Sequence, residues 1–455
     1  MAIGKTLVSY DSILKPFPDK QTLLAQVREQ AGKVIPDPAR ADSLVSQFSD
    51  ALDAMQAAQG NYPQVMHTPR NAMAALLQTN VAQHAIQENK FESFLMKSVD
   101  FVLEGFQVKF SSDDFIGWAA SFFHWIEGLV PAAWPAPADE AMPIGNNFRI
   151  GLLGDWGTGL YGAPVCAASI EADPDGYDLV LHLGDVYYSG LDKEVEERFL
   201  GFKLQNGNWI TRSLNGNHEM YTGGHGYFGL LLPQVKQTAS YFAFQNDYWT
   251  LISLDTAYNQ DPGGQEGNLD GPGDSHPQID WLTKIIAAAG NRKIALFSHH
   301  QPFSQLDPNQ GPKLIEALRP FLEAKKITVW YWGHEHRCVL YDAHPAYGFR
   351  GRCVGHGGFP EARVDLSSAP YSSQLGSQWR QLSAKGDGDA YIPGGLALDS
   401  ANPYIPGFET QFEPHGFMRL ELDNERLIEY VRSPAGANLY FEDLGWTAAS
   451  AALGR

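Results

Sequence analysis

The hydrophobic residues of the chain follow two different periodicities. Over the first 146 residues they recur at the three- and four-residue spacing of an amphipathic helix, as in Leu44, Val45, Phe48 and Leu52. Proline-containing turns such as Asp37-Pro38 interrupt this pattern. The sequence therefore predicts a helical N-terminal region over residues 1–146.

One segment of this region has an unusually aromatic apolar face. Ser112-Asp113-Asp114 would cap a helix over Phe115–Val130. The simplest interpretation is a helix packed on the core. A lid near the active site or a helix lying on a membrane surface is the alternative, although few Lys or Arg residues face away from the stripe to contact lipid. The stripe consists of Phe115, Trp118, Ala119, Phe122, Trp125 and Ile126.

From Phe148 onward the pattern changes to short apolar runs that end in Gly, Asp, Asn or His. Runs of this length that alternate with helical segments are typical of a layered α/β domain. The predicted strands are Arg149–Leu153, Leu179–Leu183, Ile210–Leu214, Trp249–Leu254, Lys293–Phe297 and Ile327–Trp332. The predicted helices between them are Gln278–Ala289 and Lys313–Leu322, and the closing antiparallel strands are Gly416–Leu422, Arg426–Arg432 and Asn438–Glu442.

These segments define a catalytic domain over residues 147–447, followed by a short tail over 448–455. Two long connections, 257–277 and 357–414, carry little regular pattern, and loops of that length are expected to be either functional or disordered.

Composition limits the partners of the protein. Lys and Arg number 33 against 52 Asp and Glu, which gives a net charge of −19 and disfavours binding to a nucleic-acid polymer. The three cysteines do not form a disulfide framework or a zinc motif, although a Cys338–Cys353 bridge stays open. No apolar run is long enough to span a membrane, and no signal peptide is visible, so a cytoplasmic location is the default expectation. The oligomeric state cannot be predicted.

Five short motifs follow the predicted strands, one at each strand end. Each motif alone is weak, because an Asp or His after a strand is often only a turn former. Together they place oxygen and imidazole groups at strand ends, which we expect to converge at one edge of a sheet. The motifs are Gly154-Asp155-Trp156-Gly157, Gly184-Asp185-Val186-Tyr187-Tyr188, Gly216-Asn217-His218-Glu219, Ser298-His299-His300 and Gly333-His334-Glu335-His336.

Carboxylate and imidazole groups of this kind suit Zn, Mn or Fe. Two such ions held roughly 3.5–4 Å apart need a shared anionic ligand, and an aspartate can supply it. Asp255 also follows a strand, but we interpret it as structural. The sequence thus predicts a two-metal centre.

The ordered set of motifs resembles the calcineurin-like metallophosphoesterase superfamily and, within it, the purple acid phosphatases. The resemblance covers roughly residues 148 to 337 and implies a four-layer α/β sandwich. It also implies two metal sites that share Asp185. One site would consist of Asp155, Asp185, Tyr188 and His336, and the other of Asp185, Asn217, His299 and His334.

The resemblance also bears on metal identity. Most superfamily members carry a ligand His at the position of Gly157, whereas purple acid phosphatases use the tyrosine that corresponds to Tyr188. A phenolate favours Fe(III), so the implied cofactors are Fe(III) in that site and Fe, Zn or Mn in the other. His299 and His300 compete for one ligand position; the family pattern favours His299 and leaves His300 near the substrate.

The function implied by the resemblance is hydrolysis of a small phosphate ester, most simply a phosphomonoester. Together with the bridging Asp185, His218 is the expected catalytic residue, because it would stabilise developing charge or protonate the leaving oxygen. His225 is a weaker candidate for the leaving-group pocket. The N-terminal helical region departs from the β-sandwich of plant enzymes, and no His follows His300 closely. Phosphodiester hydrolysis and a non-catalytic binding protein therefore remain as alternatives.

Overall fold

Two β-sheets packed face to face form the body of the catalytic region. The computed structural model describes residues 131–444 apart from 158, 160, 161, 187–189, 222, 261–265, 308, 309, 360, 362, 405–408 and 411, with scattered positions between 21 and 49 and two short strands before residue 110. The described positions between 21 and 49 are helical. The predicted helix over Phe115–Val130 lies outside the described residues.

The smaller sheet has six strands, and its parallel half carries the first three motifs. Its order is Asn438–Asp443, Arg426–Arg432, Phe417–Asp423, Asn147–Leu153, Leu179–His182 and Ile210–Ser213. The last three strands are parallel, whereas the first three are joined in antiparallel pairs.

The larger sheet has ten strands, and its parallel centre carries the last two motifs. Its order is Tyr371–Ser372, Gly376–Leu382, Gly395–Leu398, Cys338–Ala343, Arg350–Val354, Ile327–Trp332, Lys293–Ser298, Trp249–Ser253, Phe242–Gln245 and Met142–Pro143. A separate two-stranded pair joins Val102–Leu103 to Phe106–Gln107.

Helices cover the outer faces of both sheets. The longest, Pro277–Ala289 and Pro312–Glu323, bury Leu282, Leu314 and Leu318 against the ten-stranded sheet. The other described helices are Ala163–Ala172, Asp192–Arg198, Asn217–Met220 and Leu232–Gln234, with a π-helical turn at Tyr227–Leu231. Between the sheets, side chains such as Leu152, Phe297 and Met418 form one shared apolar core. The predicted four-layer α/β sandwich is therefore confirmed.

The sequence prediction was wrong about the loop over 357–414. It contains the strands Tyr371–Ser372, Gly376–Leu382 and Gly395–Leu398, which extend the larger sheet. These strands were hard to predict because their pattern does not alternate: the first three residues of Gly376–Leu382 are all exposed. The connection over 257–277 has, in its described part, one short 3₁₀ turn at Pro272–Asp274.

The segment before the first long strand packs directly on the catalytic region. The Trp134 indole donates to Ser240 at 2.8 Å and to Asp255 at 3.0 Å, and the ring stacks on Tyr258. Asp255 also accepts backbone N–H groups from Ala257 and Tyr258, which suits a structural role. The division of the chain at residue 146 stays a prediction.

The three cysteines are free and buried, so Cys338 and Cys353 do not form a bridge. Within the part of the chain that the structure describes, no helix has the length and apolarity needed to cross a bilayer.

Candidate metal centre

The five motifs meet where the two sheets face each other, and not at the edge of one sheet as the sequence analysis expected. Asp155, Asp185 and Asn217 follow strands of the six-stranded sheet, whereas His299 and His334 follow strands of the ten-stranded sheet. A direct contact joins the two halves: the backbone N–H of His334 donates to both oxygens of the Asp155 carboxylate at 2.9 Å.

Four of the predicted ligands have a left-handed backbone conformation. The φ angles are +56° at Asp155, +74° at Asp185, +68° at His334 and +53° at His336. A side chain other than glycine costs roughly 1–2 kcal/mol in this region. Non-glycine residues in this conformation cluster at functional sites, where the surrounding structure holds them in place.

Asp185 lies at the centre of the cluster. Its Oδ1 accepts the backbone N–H of His218 at 3.1 Å and lies 3.4 Å from His299 Nε2. Its Oδ2 lies 4.0 Å from the Nε2 of the His218 ring. One carboxylate therefore faces groups from both sheets, which is the geometry that a bridging ligand requires.

The amide oxygen of Asn217 faces two imidazole nitrogens. It lies 2.8 Å from His299 Nε2 and 3.0 Å from His334 Nδ1, and those two nitrogens are 3.2 Å apart. The amide nitrogen of Asn217 donates to the Tyr221 hydroxyl at 2.9 Å, which turns the oxygen toward the histidines. Three donor atoms at mutual distances near 3 Å are consistent with ligands around one metal ion.

Hydrogen bonds behind the histidines set which nitrogen faces the cluster. The Nδ1 of His299 donates to the Leu183 carbonyl at 2.9 Å, so its Nε2 is left to accept a cation. The Nδ1 of His336 lies 3.2 Å from a Glu361 carboxylate oxygen, and its Nε2 lies 3.6 Å from Asp155 Oδ1. Both rings therefore present a lone pair to the carboxylates.

The electrostatics of these groups fit a metal centre. Burial lowers the pKa of His299 and of His334 well below the ordinary value and that of His336 to about 3, so the three rings are neutral near pH 7. Burial raises the pKa of the Asp155 carboxyl, and the backbone N–H of His334 opposes this shift. Neutral imidazoles beside buried carboxylates form a donor set suited to divalent and trivalent ions.

The structure groups possible ligand atoms in two overlapping triads. One contains Asp155, Asp185 and His299, and the other contains His299, His300 and His334. His300 is buried, its Nδ1 lies 2.9 Å from the Thr256 hydroxyl, and its ring lies 4.7 Å from that of His334. Both members of the His299–His300 pair thus face the cluster, with His299 in contact with Asn217.

The remaining predicted residues have different positions. His218 is buried and its ring packs on Tyr221 at 4.8 Å, whereas His225 is exposed on the loop that follows. Tyr188 lies outside the described residues, so its role as a ligand stays a prediction.

Two buried carboxylates that the sequence analysis did not assign support the cluster. Glu219 accepts the backbone N–H groups of Val186 at 2.7 Å, Gly216 at 2.9 Å and Asp185 at 3.1 Å, which ties the second and third motifs together. The position of Glu219 in the Gly-Asn-His-Glu motif could have identified it as a residue of the site. Glu361 lies in the 357–414 segment, where no pattern marked it.

The structure also shows what occupies the space beside Gly157. A Cβ at this position would lie 3.4 Å from the Phe359 ring, and the φ of Gly157 is +64°. The Phe359 ring itself lies 4.2 Å from that of His336, and its backbone N–H donates to the Asp155 carbonyl. An aromatic side chain therefore packs where a ligand histidine at position 157 would project.

Comparisons with known proteins match the region of the chain that carries the five motifs. Residues 148–338 match the family model for calcineurin-like phosphoesterases. Tartrate-resistant acid phosphatase type 5 of Rattus norvegicus is 25% identical over 229 residues, which cover 42% of this chain and 67% of that protein. The protein of the same name from Homo sapiens is 26% identical over 240 residues, which cover 44% of this chain and 70% of that protein.

Solved structures give more distant similarities. A purple acid phosphatase from Lupinus luteus seeds has a TM-score of 0.45 and 14% identity, covering 68% of this chain and 55% of the lupin chain, so only about half of the plant protein is matched. A dimetal phosphatase from Danio rerio has a TM-score of 0.40 and 14% identity, covering 66% of this chain and 99% of that chain. From the family match and the ordered motifs, residues 148–338 are similar to the calcineurin-like phosphoesterases and carry a set of motifs that resembles that of the purple acid phosphatases.

Proposed function

We propose that the protein hydrolyses phosphate monoesters of small molecules at a two-metal centre of the purple acid phosphatase type. The observation that carries this proposal is the convergence of Asp155, Asp185, Asn217, His299, His334 and His336 in one buried cluster built from both sheets. A purely structural core would not need so many titratable groups, since apolar side chains could fill the same space without the free-energy penalty of removing charged groups from water.

The proposed ligand sets follow the two sides of the cluster. Asp155 and His336, with Tyr188, would hold one ion; Asn217, His299 and His334 would hold the other, and Asp185 would bridge them. When bound, such ions lower the pKa of coordinated water and offset negative charge on the phosphoryl oxygens. The chain's own contribution is to orient these ligands through the hydrogen bonds of Leu183, Tyr221 and Glu361.

His218 is the proposed proton donor to the leaving oxygen. Its backbone N–H is fixed to Asp185 Oδ1, and its Nε2 lies 4.0 Å from Oδ2 of the same carboxylate. The ring is therefore held beside the carboxylate that we propose as the bridging ligand. His218→Ala should lower kcat by about 10²–10⁴-fold while both metal ions stay bound.

We propose Fe(III) for the site next to Tyr188, with Fe, Zn or Mn in the other. The support is the pairing of Gly157 with Tyr188 in the sequence, together with the Phe359 ring beside position 157. A visible absorption band that disappears in Tyr188→Phe, with at least one iron per chain by elemental analysis, is the expected result. A colourless protein with two Zn or Mn ions would overturn the assignment of iron.

The substrate class can be tested with two matched synthetic esters. The metal-loaded protein should hydrolyse p-nitrophenyl phosphate with a kcat/KM at least ten times that for bis(p-nitrophenyl) phosphate, and Asp185→Ala should remove both activities. A preference for the diester would favour the phosphodiesterase alternative. Absence of both activities in a protein that holds two ions would favour a binding protein.

A further inference from the structure

A buried cluster of three charged side chains lies behind His336, on the side away from Asp155. Arg337 lies between two carboxylates, with its Nη2 3.5 Å from Glu361 Oε1 and its Nε 3.3 Å from Glu413 Oε1. All three side chains are less than one-tenth exposed. Neither contact to the arginine is a bidentate pair, although a bidentate fork is the arrangement that best stabilises an isolated arginine–carboxylate pair.

The second oxygen of Glu361 points to the metal centre. Its Oε2 lies 3.2 Å from His336 Nδ1, and the other nitrogen of that ring lies 3.6 Å from Asp155 Oδ1. The His336 imidazole therefore lies between the Glu361 carboxylate and the Asp155 carboxylate that would hold the ion. Carboxylate–histidine–metal arrangements fix the ring tautomer and raise the basicity of the ligand.

Glu413 has a contact of its own that is independent of the metal centre: it accepts the backbone N–H of Val364 at 3.0 Å. The Arg337 guanidinium contacts both carboxylates, so it links Glu413 to the carboxylate that faces His336.

We propose that Glu361 is a positioning residue for the metal ion held by Asp155 and His336. It would fix the Nδ1–H tautomer of His336 and strengthen its bond to the ion, while Arg337 and Glu413 hold the Glu361 carboxylate in place. This inference rests on the proposed two-metal function and adds a determinant of affinity for one of the two ions. It assigns a role to a residue of the 357–414 segment, which follows none of the five motifs.

The test compares Glu361→Gln with Glu413→Gln, which is its matched control. Both variants replace a buried carboxylate that contacts Arg337, but only Glu361 contacts His336. Metal-loaded proteins are titrated with a chelator, and each ion is counted by elemental analysis. We expect Glu361→Gln to weaken one ion by roughly 10–100-fold and to leave the second ion bound, whereas Glu413→Gln keeps both affinities within about twofold. Equal behaviour of the two variants would overturn the proposal.

A second measurement needs no variant and therefore does not depend on the folding of the mutants. Long-range ¹H–¹⁵N spectra of the zinc-loaded wild-type protein should show His336 protonated at Nδ1; protonation at Nε2 would overturn the proposal.

The Asp155→Ala variant distinguishes a failure of the proposed two-metal function from a failure of the proposed role of Glu361. Retention of both ions in Asp155→Ala would refute the two-metal function itself, whereas loss of one ion there, together with unchanged affinity for both ions in Glu361→Gln, would refute only the role of Glu361.

Discussion

Replacement of Arg352 by methionine should destabilise the protein more than any exposed charge change, because Arg352 joins the two sheets. Its Nε donates to Glu429 at 2.8 and 3.0 Å, its Nη2 donates to Glu442 at 2.9 Å, and Tyr331 donates to Glu429 at 2.6 Å. Arg352 and Tyr331 belong to the ten-stranded sheet, whereas Glu429 and Glu442 belong to the six-stranded sheet.

The magnitude follows from what the substitution leaves behind. Glu429 is completely buried, and Arg352→Met would remove its ion pair and leave the Tyr331 hydroxyl as its side-chain hydrogen-bond partner in the described part of the chain. Removing one partner of such a pair costs about 3–5 kcal/mol. The matched control is Arg350→Met on the same strand, since Arg350 is 39% exposed and makes one 3.4 Å contact to Glu442. That control should change the free energy of unfolding by less than about 1 kcal/mol.

The destabilisation caused by Arg352→Met should depend on pH in a predictable direction. Burial raises the pKa of Glu429 in the wild-type protein, while Arg352 opposes this shift. Without the arginine, the pKa of Glu429 rises further above its unfolded value, so the folded state binds more protons than the unfolded state. The loss of stability in Arg352→Met should therefore be largest at neutral pH and smaller near pH 5.

Urea unfolding of the metal-loaded variants at the two pH values is the assay. The double variant Arg352→Met/Glu429→Gln should recover most of the stability, because it removes the unpaired charge and keeps an acceptor for Tyr331. The reasoning would be refuted by an Arg352→Met protein that resembles the Arg350→Met control, or by a double variant no more stable than the single one.

Three further predictions concern the site and its surroundings. Asn217→Ala should lose one of the two metal ions and reduce kcat/KM at least about 100-fold, because its oxygen lies between two histidines; retention of both ions by elemental analysis would contradict this. Gly157→His should not create an additional ligand, because its Cβ would lie against the Phe359 ring. It should also lower the thermal midpoint, because a left-handed φ costs a non-glycine residue about 1–2 kcal/mol. A gain in metal affinity would contradict this prediction. Burial lowers the pKa of His356 to about 3, below its ordinary value of 6.5, so the unfolded state binds more protons and stability falls as pH drops below 6.5. At pH 5 this amounts to about 2 kcal/mol, so His356→Leu should lose less stability between pH 7.5 and pH 5 than the wild-type protein in paired urea titrations; an unchanged difference would contradict the buried, neutral state of His356.

The parts of the fold that the sequence predicted are those in which local pattern and turn chemistry agree. The strand over Ile327–Trp332 was predicted at its observed bounds, and the strand that begins at Leu179 within one residue. Both are short apolar runs followed by a glycine, which is the pattern of a buried parallel strand. The strand over Gly376–Leu382 gave no such signal, because it lies near the edge of its sheet with one face in solvent.

In the candidate site, too, the features visible in a short stretch of sequence were predicted and those that depend on distant contacts were not. The motifs supplied the ligand types, because a carboxylate or imidazole at a strand end is visible in a short window. The pairing of the strands into two sheets was not visible, since it depends on contacts between distant segments. Glu361 was missed for a related reason: its function depends on the 3.2 Å contact to His336, and nothing in its local sequence marks a buried carboxylate.

Gly333 shows how the two sheets constrain each other at the level of single atoms. A Cβ at this position would lie against an oxygen of the Asp155 carboxylate, which belongs to the other sheet, and the Gly333 N–H already donates to the His299 carbonyl at 3.0 Å. The glycine before His334 is therefore required less for its own turn than for the close approach of a ligand from a different motif. Gly184 makes a similar approach, since a Cβ there would lie against the His299 ring, which follows a strand of the other sheet. Two of the glycines that precede ligand residues therefore lie where the two sheets approach each other closely.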